Sequence, residues 1–333
     1  MGTRYMYDTA ENAARKDFFI SECITNAGRR LIATQTFNAL EPYEEAWGAD
    51  VCTRSAEELQ PVITELVGFR SSSKKLRLTI LREYVRWCIE NGVPGACDGL
   101  LQIEEVGLEK LKRQMVANPQ HLQRYLDCIC DKESEGTVDC IYRCFFWLAY
   151  GGMNESDVLN VTASDVDLPE MVVRYGDVEY PIYREALGAF KNCVSLTQFR
   201  YKHPNYPADK LVFKDRAPGD TLLRGISEAR SLTALRVEMS RRAKNPKYKI
   251  KSDDDSLNLK LSFYRVWLSG LFYKTYKAER AGIPVDFMAA AGDFMDGKTY
   301  HLERSRNLIG AKQRQIASDY LEDYSRWKEA YSI

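Results

Sequence analysis

Apolar side chains recur every three or four positions through the first 150 residues, and clusters of Gly, Pro and Ser separate one such run from the next. This spacing puts apolar residues on one face of a helix, whereas a half-buried strand would alternate apolar and polar residues. No run in this half alternates convincingly, so the pattern predicts an all-α first half. The predicted helices lie at 55–67, 72–90, 105–116, 118–130 and 137–150.

Two of these helices start at recognisable N-terminal signals. Ser55 and Glu58 form a Ser-x-x-Glu capping box, in which each side chain can accept a hydrogen bond from the free backbone N–H of the other residue. Asn118 precedes Pro119, and Asn is a favoured N-cap while Pro fits the first helical position. Both signals agree with the helix starts that the apolar pattern predicts.

The pattern changes after residue 150. Two short runs with alternating apolar residues, 172–175 and 178–182, flank Gly176 and Asp177, and this arrangement predicts a β-hairpin. Residues 200–224 are rich in Pro and Gly and are predicted to be loop, with at most a strand fragment at 211–213. Further helices are predicted at 183–195, 225–244, 257–279 and 284–291, followed by a long C-terminal helix.

The length of 333 residues favours two domains, at about 100–200 residues per domain. The predicted fold class is mainly α (α+β). A helical N-terminal domain is expected over 1–132, and a second domain with a small β-hairpin or sheet over 133–333.

The C-terminal helix carries an apolar stripe that is almost entirely aromatic. Its members are spaced 4, 4, 3 and 4 residues apart, so they share one helix face. Such a stripe usually packs on its own domain, and the alternative is a contact between two copies of the chain. The stripe consists of Ile316, Tyr320, Tyr324, Trp327 and Tyr331, of which the four aromatic residues are the candidates for a homo-oligomer contact.

The formal net charge is zero, because 47 Lys and Arg balance 47 Asp and Glu, but the charge is unevenly distributed. Residues 224–251 hold nine Lys or Arg against two Glu, a balance of +7, whereas residues 154–180 hold one Arg against seven acids, a balance of −6. Basic stretches recur at 70–86 and 298–314 with aromatic and small polar residues between them, as a surface that follows DNA phosphates requires. This recurrence favours a surface that binds double-stranded DNA over a basic surface that only contacts water.

The candidate DNA-contacting residues come mainly from these stretches. They are Lys74, Lys75, Arg77, Arg82, Arg230, Arg241, Arg242, Lys244, Lys247, Lys249, Lys251, Arg265 and Lys298. Replacing Arg241, Arg242 and Lys244 together by Glu is expected to abolish DNA binding and to leave the fold intact.

Other kinds of site are not indicated. The chain has nine Cys, an odd number, and its first residues show no basic segment followed by an apolar one, as a secretion signal would. Both features predict a reduced, cytoplasmic protein. The most apolar stretch, 140–153, is shorter than the roughly 20 residues of a membrane span. No cofactor is expected, because no nucleotide-binding Gly motif occurs, and the four clustered cysteines lack the C-x₂-C pairs of structural zinc sites. These cysteines are Cys128, Cys130, Cys140 and Cys144.

Residues 145–190 combine an apolar helix, a Gly turn, a short acidic helix, a Ser-Asp-Val-Asp exit, a hairpin and another helix. This layout resembles the start of the catalytic domain of tyrosine recombinases, the phage integrase family, where Thr-Gly-Leu-Arg-x-x-Glu ends the helix and the hairpin carries a Lys. Asn154 stands where the first catalytic Arg would be, and the hairpin offers Arg174 in place of a Lys. The positions that fit the family frame are Gly152, Met153, Asp157, Leu159, Asp165 and Asp167.

Residues 259–308 resemble the second half of the same domain, in which His-x-x-Arg on a helix precedes Gly-His and the nucleophilic Tyr. Arg265 aligns with the second Arg, and Ser262 replaces the His. Gly292-Asp293 replaces Gly-His, and Tyr300 falls near the nucleophile. The helical first half likewise resembles the core-binding domain of the family, so the resemblance covers residues 35–325.

The resemblance implies a protein whose two domains clamp duplex DNA. In the family, Tyr attacks a DNA phosphate while two Arg stabilise the charge of the transition state. Losing one such electrostatic partner costs roughly 10²–10³ in rate, and Asn154, Ser262 and Asp293 each replace a member of the set. The chain therefore looks like a phage repressor built on an inactive integrase-like fold, a sequence-specific regulator of transcription.

Two alternatives remain at this stage. The first is an active recombinase that performs DNA recombination and integration, with Tyr300 as nucleophile and Arg265 as its surviving Arg. The second is a helical scaffold that does not bind DNA. Structural roles would explain the same residues: Arg265 could pair with an acid such as Asp157, Tyr300 could be a packed aromatic residue, and Asn154 could be a helix N-cap.

Overall fold

The computed structural model describes residues 9–66, 71–103, 108–130, 139–202, 211–225, 237–238, 241–242, 261–285 and 306–333. These residues are mostly helical and include two small antiparallel sheets, which confirms the α+β class. The chain divides into two compact units, Met1–Lys110 and Leu111–Ile333. The boundary predicted between two domains, after residue 132, remains a prediction.

The helices are numbered here in chain order. They are α1 (Thr9–Cys23), α2 (Ala27–Trp47), α3 (Ala56–Leu66), α4 (Ser71–Glu90), α5 (Glu109–Lys112), α6 (Pro119–Ile129), α7 (Asp139–Tyr150), α8 (Leu187–Ser195), α9 (Phe263–Arg280) and α10 (Arg306–Tyr331). The described part of the first 150 residues contains no strand, in agreement with the predicted all-α half. The helix predicted at 105–116 is shorter than expected, since only α5 is helical in its described portion, 108–116.

The helix starts follow the sequence signals. The Ser55 backbone N–H donates to the Glu58 carboxylate at 3.1 Å, and the Glu58 N–H donates to the Ser55 hydroxyl at 3.4 Å, so the capping box forms. The Asn118 side chain accepts from the backbone N–H of His121 at 2.8 Å and caps α6. In both helices the predicted cap satisfies backbone groups that would otherwise lack a partner.

The core of the second unit is built around α7, in which every residue is buried. Helix α9 packs closely on it: Phe145 and Phe263 have ring centroids 4.9 Å apart. Gly270 lies so near the end of α7 that a Cβ at this position would be 1.9 Å from the carbonyl oxygen of Tyr150. Only glycine permits this approach of the two backbones.

The first sheet is the predicted hairpin with one additional short strand. Its strands are β1 (Val166–Asp167), β2 (Val172–Tyr175) and β3 (Val178–Pro181), in the order β1-β2-β3. Tyr175 pairs with Val178 across the turn, and Gly176 adopts a φ of 59° that favours glycine. The alternation seen in the sequence thus corresponds to a real strand pair.

The second sheet corrects the prediction that 200–224 is essentially loop. Strands β4 (Gln198–Lys202) and β5 (Leu211–Asp215) form an antiparallel pair, with Arg200 opposite Phe213. Phe199 is fully buried and anchors the pair to the core. The alternating pattern in β4 contains only two apolar side chains, Phe199 and Tyr201. This signal is too weak to outweigh the neighbouring Pro and Gly residues, which favour a loop.

The aromatic stripe of α10 packs inside its own unit. Trp327 is fully buried and its indole N–H donates to the Val116 carbonyl at 3.0 Å, while the Tyr331 hydroxyl donates to the Met115 carbonyl at 2.6 Å. Tyr320 and Tyr324 are also buried, at 2% and 1% exposure. Tyr320, Tyr324 and Trp327 are therefore covered within their own unit, whereas Tyr331 is half-buried. A contact of these four residues between two copies of the chain remains a prediction.

No helix in the part of the chain that the structure describes is long and apolar enough to cross a membrane.

Candidate nucleic-acid interface

Ser262 has a structural role at the start of α9. Its side-chain oxygen accepts from the backbone N–H of Arg265 at 3.4 Å, so Ser262 is the N-cap of α9. The family resemblance places a proton-transferring His at this position. A serine hydroxyl has neither the charge nor the near-neutral pKa of an imidazole, so it does not replace the His in that chemistry.

Arg265 lies one turn into α9 and is half-buried. Burial lowers its pKa from the ordinary value, but an Arg remains charged at any physiological pH. The family resemblance assigns a phosphate contact to this residue. Its suggested pairing with Asp157 remains a prediction.

The turn that carries Asn154 is attached to the same helix. Gly152 has a φ of 100° and turns the chain back after α7, and its carbonyl accepts the indole N–H of Trp267 at 3.0 Å. This bond holds the turn against α9, the helix of Arg265. Two positions that the resemblance assigns to one site are thus carried by elements in direct contact.

Asn154 precedes a series of turns and not the short helix expected after it. Its backbone carbonyl accepts from the N–H groups of Asp157 at 3.1 Å and Val158 at 3.2 Å, and residues 155–160 form turns. These are backbone hydrogen bonds that any residue at this position could accept, and the N-cap role suggested for the Asn154 side chain remains a prediction. The side chain is a neutral amide at the position where the resemblance would place an Arg.

Arg174 on β2 forms a surface ion-pair network. Its guanidinium donates to Asp167 at 2.5 Å and to Glu179 at 2.8 Å. The hydrogen bond from Arg174 is the main cause that holds the pKa of Asp167 below its ordinary value. Two carboxylates therefore offset the positive charge that the hairpin offers in place of the family Lys.

The basic face of α4 is only partly oriented to solvent. Lys75 and Arg86 are exposed, but Arg77 and Arg82 are half-buried and donate to the backbone carbonyls of Leu66 and Ile103. Those two guanidinium groups bond the last residue of α3 and residue 103 to α4. The predicted DNA contact is therefore best supported on this helix for Lys75.

Arg242 is a structural residue of the second unit, although the sequence grouped it with the DNA contacts. It is 7% exposed, pairs with Asp139 and Glu238 at 2.8 Å each, and lies 4.4 Å from the ring centroid of Tyr142. Burial disfavours its charge, yet the hydrogen bond to Asp139 and the attraction of that carboxylate raise the pKa of Arg242. Its guanidinium therefore bonds groups inside the protein and does not face solvent.

The neighbouring Arg241 is largely exposed and shares a partner with Arg242. It donates two hydrogen bonds to Glu238, at 2.8 and 2.9 Å. The hydrogen bond from Arg241 is the main cause that lowers the pKa of Glu238 to about 2. Arg241 remains accessible to a phosphate.

Several candidates lie outside the described residues. These are Asp293, Tyr300 and the basic residues Arg230, Lys244, Lys247, Lys249, Lys251 and Lys298, together with the side chain of Lys74. Their roles remain predictions.

Solved structures with similar chain paths include one recombinase and two integrases. The chain is similar to the XerA recombinase (13% identity, TM-score 0.38, 98% of each chain covered) and to a lambda integrase tetramer bound to a Holliday junction (10%, 0.35, 85% of this chain and 76% of that one). It is also similar to the integrase from mycobacterium phage Brujita (8%, 0.32, 98% of this chain and 94% of that one). No protein-family model matches the chain, and no curated protein matches it in sequence. At identities and TM-scores this low, function rests on the residues of this chain.

Arg216 is a buried residue whose importance the sequence did not reveal. Its guanidinium donates to the backbone carbonyls of Cys193, at 2.5 Å, and Leu196, at 3.1 Å, and also to those of Leu222 and Arg224. It thereby joins the end of β5 to the end of α8. No local sequence signal marks such a residue, because its acceptors are backbone atoms of distant segments.

The clustered cysteines include core residues. Cys140 and Cys144 are fully buried on α7, next to Cys193 of α8, and burial raises the pKa of Cys130 to about 12. No group of three or more metal-binding side chains is placed to hold an ion within the described ranges.

Proposed function

We propose that this chain is a sequence-specific double-stranded DNA-binding protein, a phage-type transcriptional repressor whose recombinase-like site does not cleave DNA. The observation that carries the proposal is the pair of replacements at Asn154 and Ser262. Both residues lie on elements that contact each other, and Ser262 serves the local fold as the N-cap of α9.

The chemistry of these replacements argues against strand cleavage. A phosphoryl transfer needs cationic groups where negative charge develops, and the neutral Asn154 cannot provide the two-pronged contact of an Arg. Ser262 cannot exchange protons at neutral pH as His does. Each lost electrostatic partner costs roughly 10²–10³ in rate, so the compounded loss leaves Arg265 without the set it would need.

DNA binding is supported by the distribution of positive charge. The balance of +7 in residues 224–251 and the exposed Lys75, Arg86 and Arg241 are suited to phosphate contacts. The acidic segment 154–180 would limit indiscriminate binding elsewhere on the surface.

Salt dependence tests the binding itself. We expect the association constant for a mixed-sequence duplex to fall linearly with salt on a logarithmic scale, because bound phosphates release counterions. With about 6–10 phosphate contacts, affinity should drop by roughly 10³–10⁵ between about 50 and 200 mM salt in a fluorescence anisotropy titration. Absence of binding at the lowest salt, or a flat salt profile, would contradict the proposal and favour the helical scaffold.

A suicide substrate tests the absence of cleavage. We expect no covalent protein–DNA adduct when the wild-type chain is incubated with nicked duplexes drawn from the sequences it binds, as assayed on a denaturing gel. The matched control is Tyr300→Phe, which removes only the candidate nucleophilic oxygen. An adduct with wild type that disappears in Tyr300→Phe would establish the alternative, an active recombinase.

A further inference from the structure

We propose that the β4–β5 hairpin is a DNA-groove-contacting element that places Arg200 and Phe213 against the duplex. The inference rests on the proposed DNA-binding function and deepens it. It assigns a contact to a part of the chain that the basic stretches of the sequence do not include.

The strand register separates a buried face of the hairpin from an accessible one. Side chains alternate along a strand, so Phe199, which is fully buried, marks the face toward the core. Arg200 and Phe213 are directly paired and lie on the opposite face, where Phe213 is 60% exposed. A large aromatic side chain is thus displayed next to a guanidinium.

The charge of the hairpin suits a polyanion. The two strands contain Arg200, Lys202 and Lys214 against a single acid, Asp215. Lys214 is exposed but is paired with Phe199, so of the cations with a described side chain only Arg200 lies on the face of Phe213. Asp215 lies at the base of the hairpin and accepts a hydrogen bond from the Gln198 side chain at 2.8 Å. The acidic residue is therefore at the end of the hairpin nearest the body of the unit, away from the rest of the strands.

The hairpin is held rigidly at its base. Arg216 follows β5 directly, is 7% exposed, and donates to carbonyls at the end of α8 and in residues 222–224. A fixed base means that little ordering is needed when the hairpin contacts a ligand, and this favours binding.

Polar side chains next to the hairpin would supplement such a contact. A shallow groove beside Phe213 is lined by Asn192, Ser195, Thr197 and Gln198, whose amides and hydroxyls are the types that bind phosphates and base edges. A two-stranded ribbon fits the major groove of B-DNA, and Phe can contact a thymine methyl group there or wedge between bases in the minor groove. Duplex DNA accounts for the ribbon, the cation and the aromatic together.

The experiment compares three single variants with wild type on a duplex that wild type enriches from a random pool. Arg200→Ala should weaken binding by about tenfold or more and reduce the slope of log affinity against log salt by about 1, because one cation is lost. Phe213→Ala should also weaken binding but leave that slope unchanged, because it removes no charge. The control is Leu321→Ala, which truncates a 43% exposed residue of α10 and should bind as wild type does.

The outcomes separate the two proposals. If wild type enriches no duplex at low salt, the proposed function and this inference both fail. If wild type binds in a salt-dependent way but Arg200→Ala and Phe213→Ala bind equally well, the hairpin is excluded while the proposed function stands. Both substituted side chains lie on the accessible face, so unchanged melting temperatures should accompany the loss of affinity.

Discussion

Replacing Arg242 by glutamate should destabilise the second unit by about 3–5 kcal/mol or more, because a buried ion pair that loses one partner leaves an uncompensated charge. The new carboxylate would lie beside Asp139 and Glu238, both now partners of Arg242 at 2.8 Å. The contact with the Tyr142 ring and the hydrogen bond to the Ile129 carbonyl would also be lost. Urea unfolding followed by circular dichroism measures the effect.

The adjacent residue supplies the control. Arg241 is exposed, and in the contacts described above it bonds the half-buried Glu238, which keeps Arg242 as a second cationic partner, so Arg241→Glu should cost much less than Arg242→Glu, about 1 kcal/mol. Equal stability of the Arg242→Glu and Arg241→Glu proteins would contradict the structural role of Arg242.

The burial of Arg242 changes how a charge-reversal test of DNA binding must be designed. Replacing Arg241, Arg242 and Lys244 together would unfold the surroundings of Arg242, and loss of DNA binding would then say nothing about the interface. Arg241→Glu alone retains the buried network of Arg242 with Asp139 and is the informative variant. The expectation that the triple variant keeps its fold is corrected for this reason.

The elements predicted correctly from sequence have strong local signals. Helix α3 has its capping box, α6 has Asn118 before Pro119, and the first hairpin has Gly176 at a turn that requires a positive φ. These features act within a few residues, so the sequence alone reveals them. The second hairpin depends on the burial of Phe199, a tertiary contact that no short pattern discloses.

The sequence predicts which residues of the candidate site are basic, but not which of them bind other parts of the protein. Counting charges identifies Arg77, Arg82 and Arg242 as basic, yet each guanidinium donates to a backbone carbonyl of another segment. The acceptor for Arg242 at Ile129 lies 113 positions away in the chain. Sequence proximity therefore cannot show which cations remain for a phosphate.

Substitution of Gly270 by alanine is the second change with a large expected effect. The added Cβ would lie 1.9 Å from the carbonyl oxygen, 2.7 Å from the carbonyl carbon and 2.9 Å from the Cα of Tyr150. All three are backbone atoms, so no side-chain rotation relieves the clash and α9 must move away from α7. Overpacking costs typically 1–3 kcal/mol, and we expect a loss of about 3 kcal/mol or more here.

Gly188 provides a matched control for the same substitution. It lies in α8, and a Cβ there would meet nothing within 4 Å, so Gly188→Ala should stabilise the helix by about 0.5–1 kcal/mol. Thermal and urea unfolding of the two variants should therefore shift in opposite directions. A Gly270→Ala protein as stable as wild type would mean that the two helices do not approach as closely as the structure shows.

The Gly270 variant also connects packing to the candidate site. Helix α9 carries Arg265, and the Trp267 indole bonds the Gly152 carbonyl in the turn that leads to Asn154. Moving α9 away from α7 would strain that bond and separate the turn from the helix. Gly270→Ala should consequently weaken DNA binding even at temperatures where the protein remains folded, whereas Gly188→Ala should leave affinity unchanged in the same anisotropy titration.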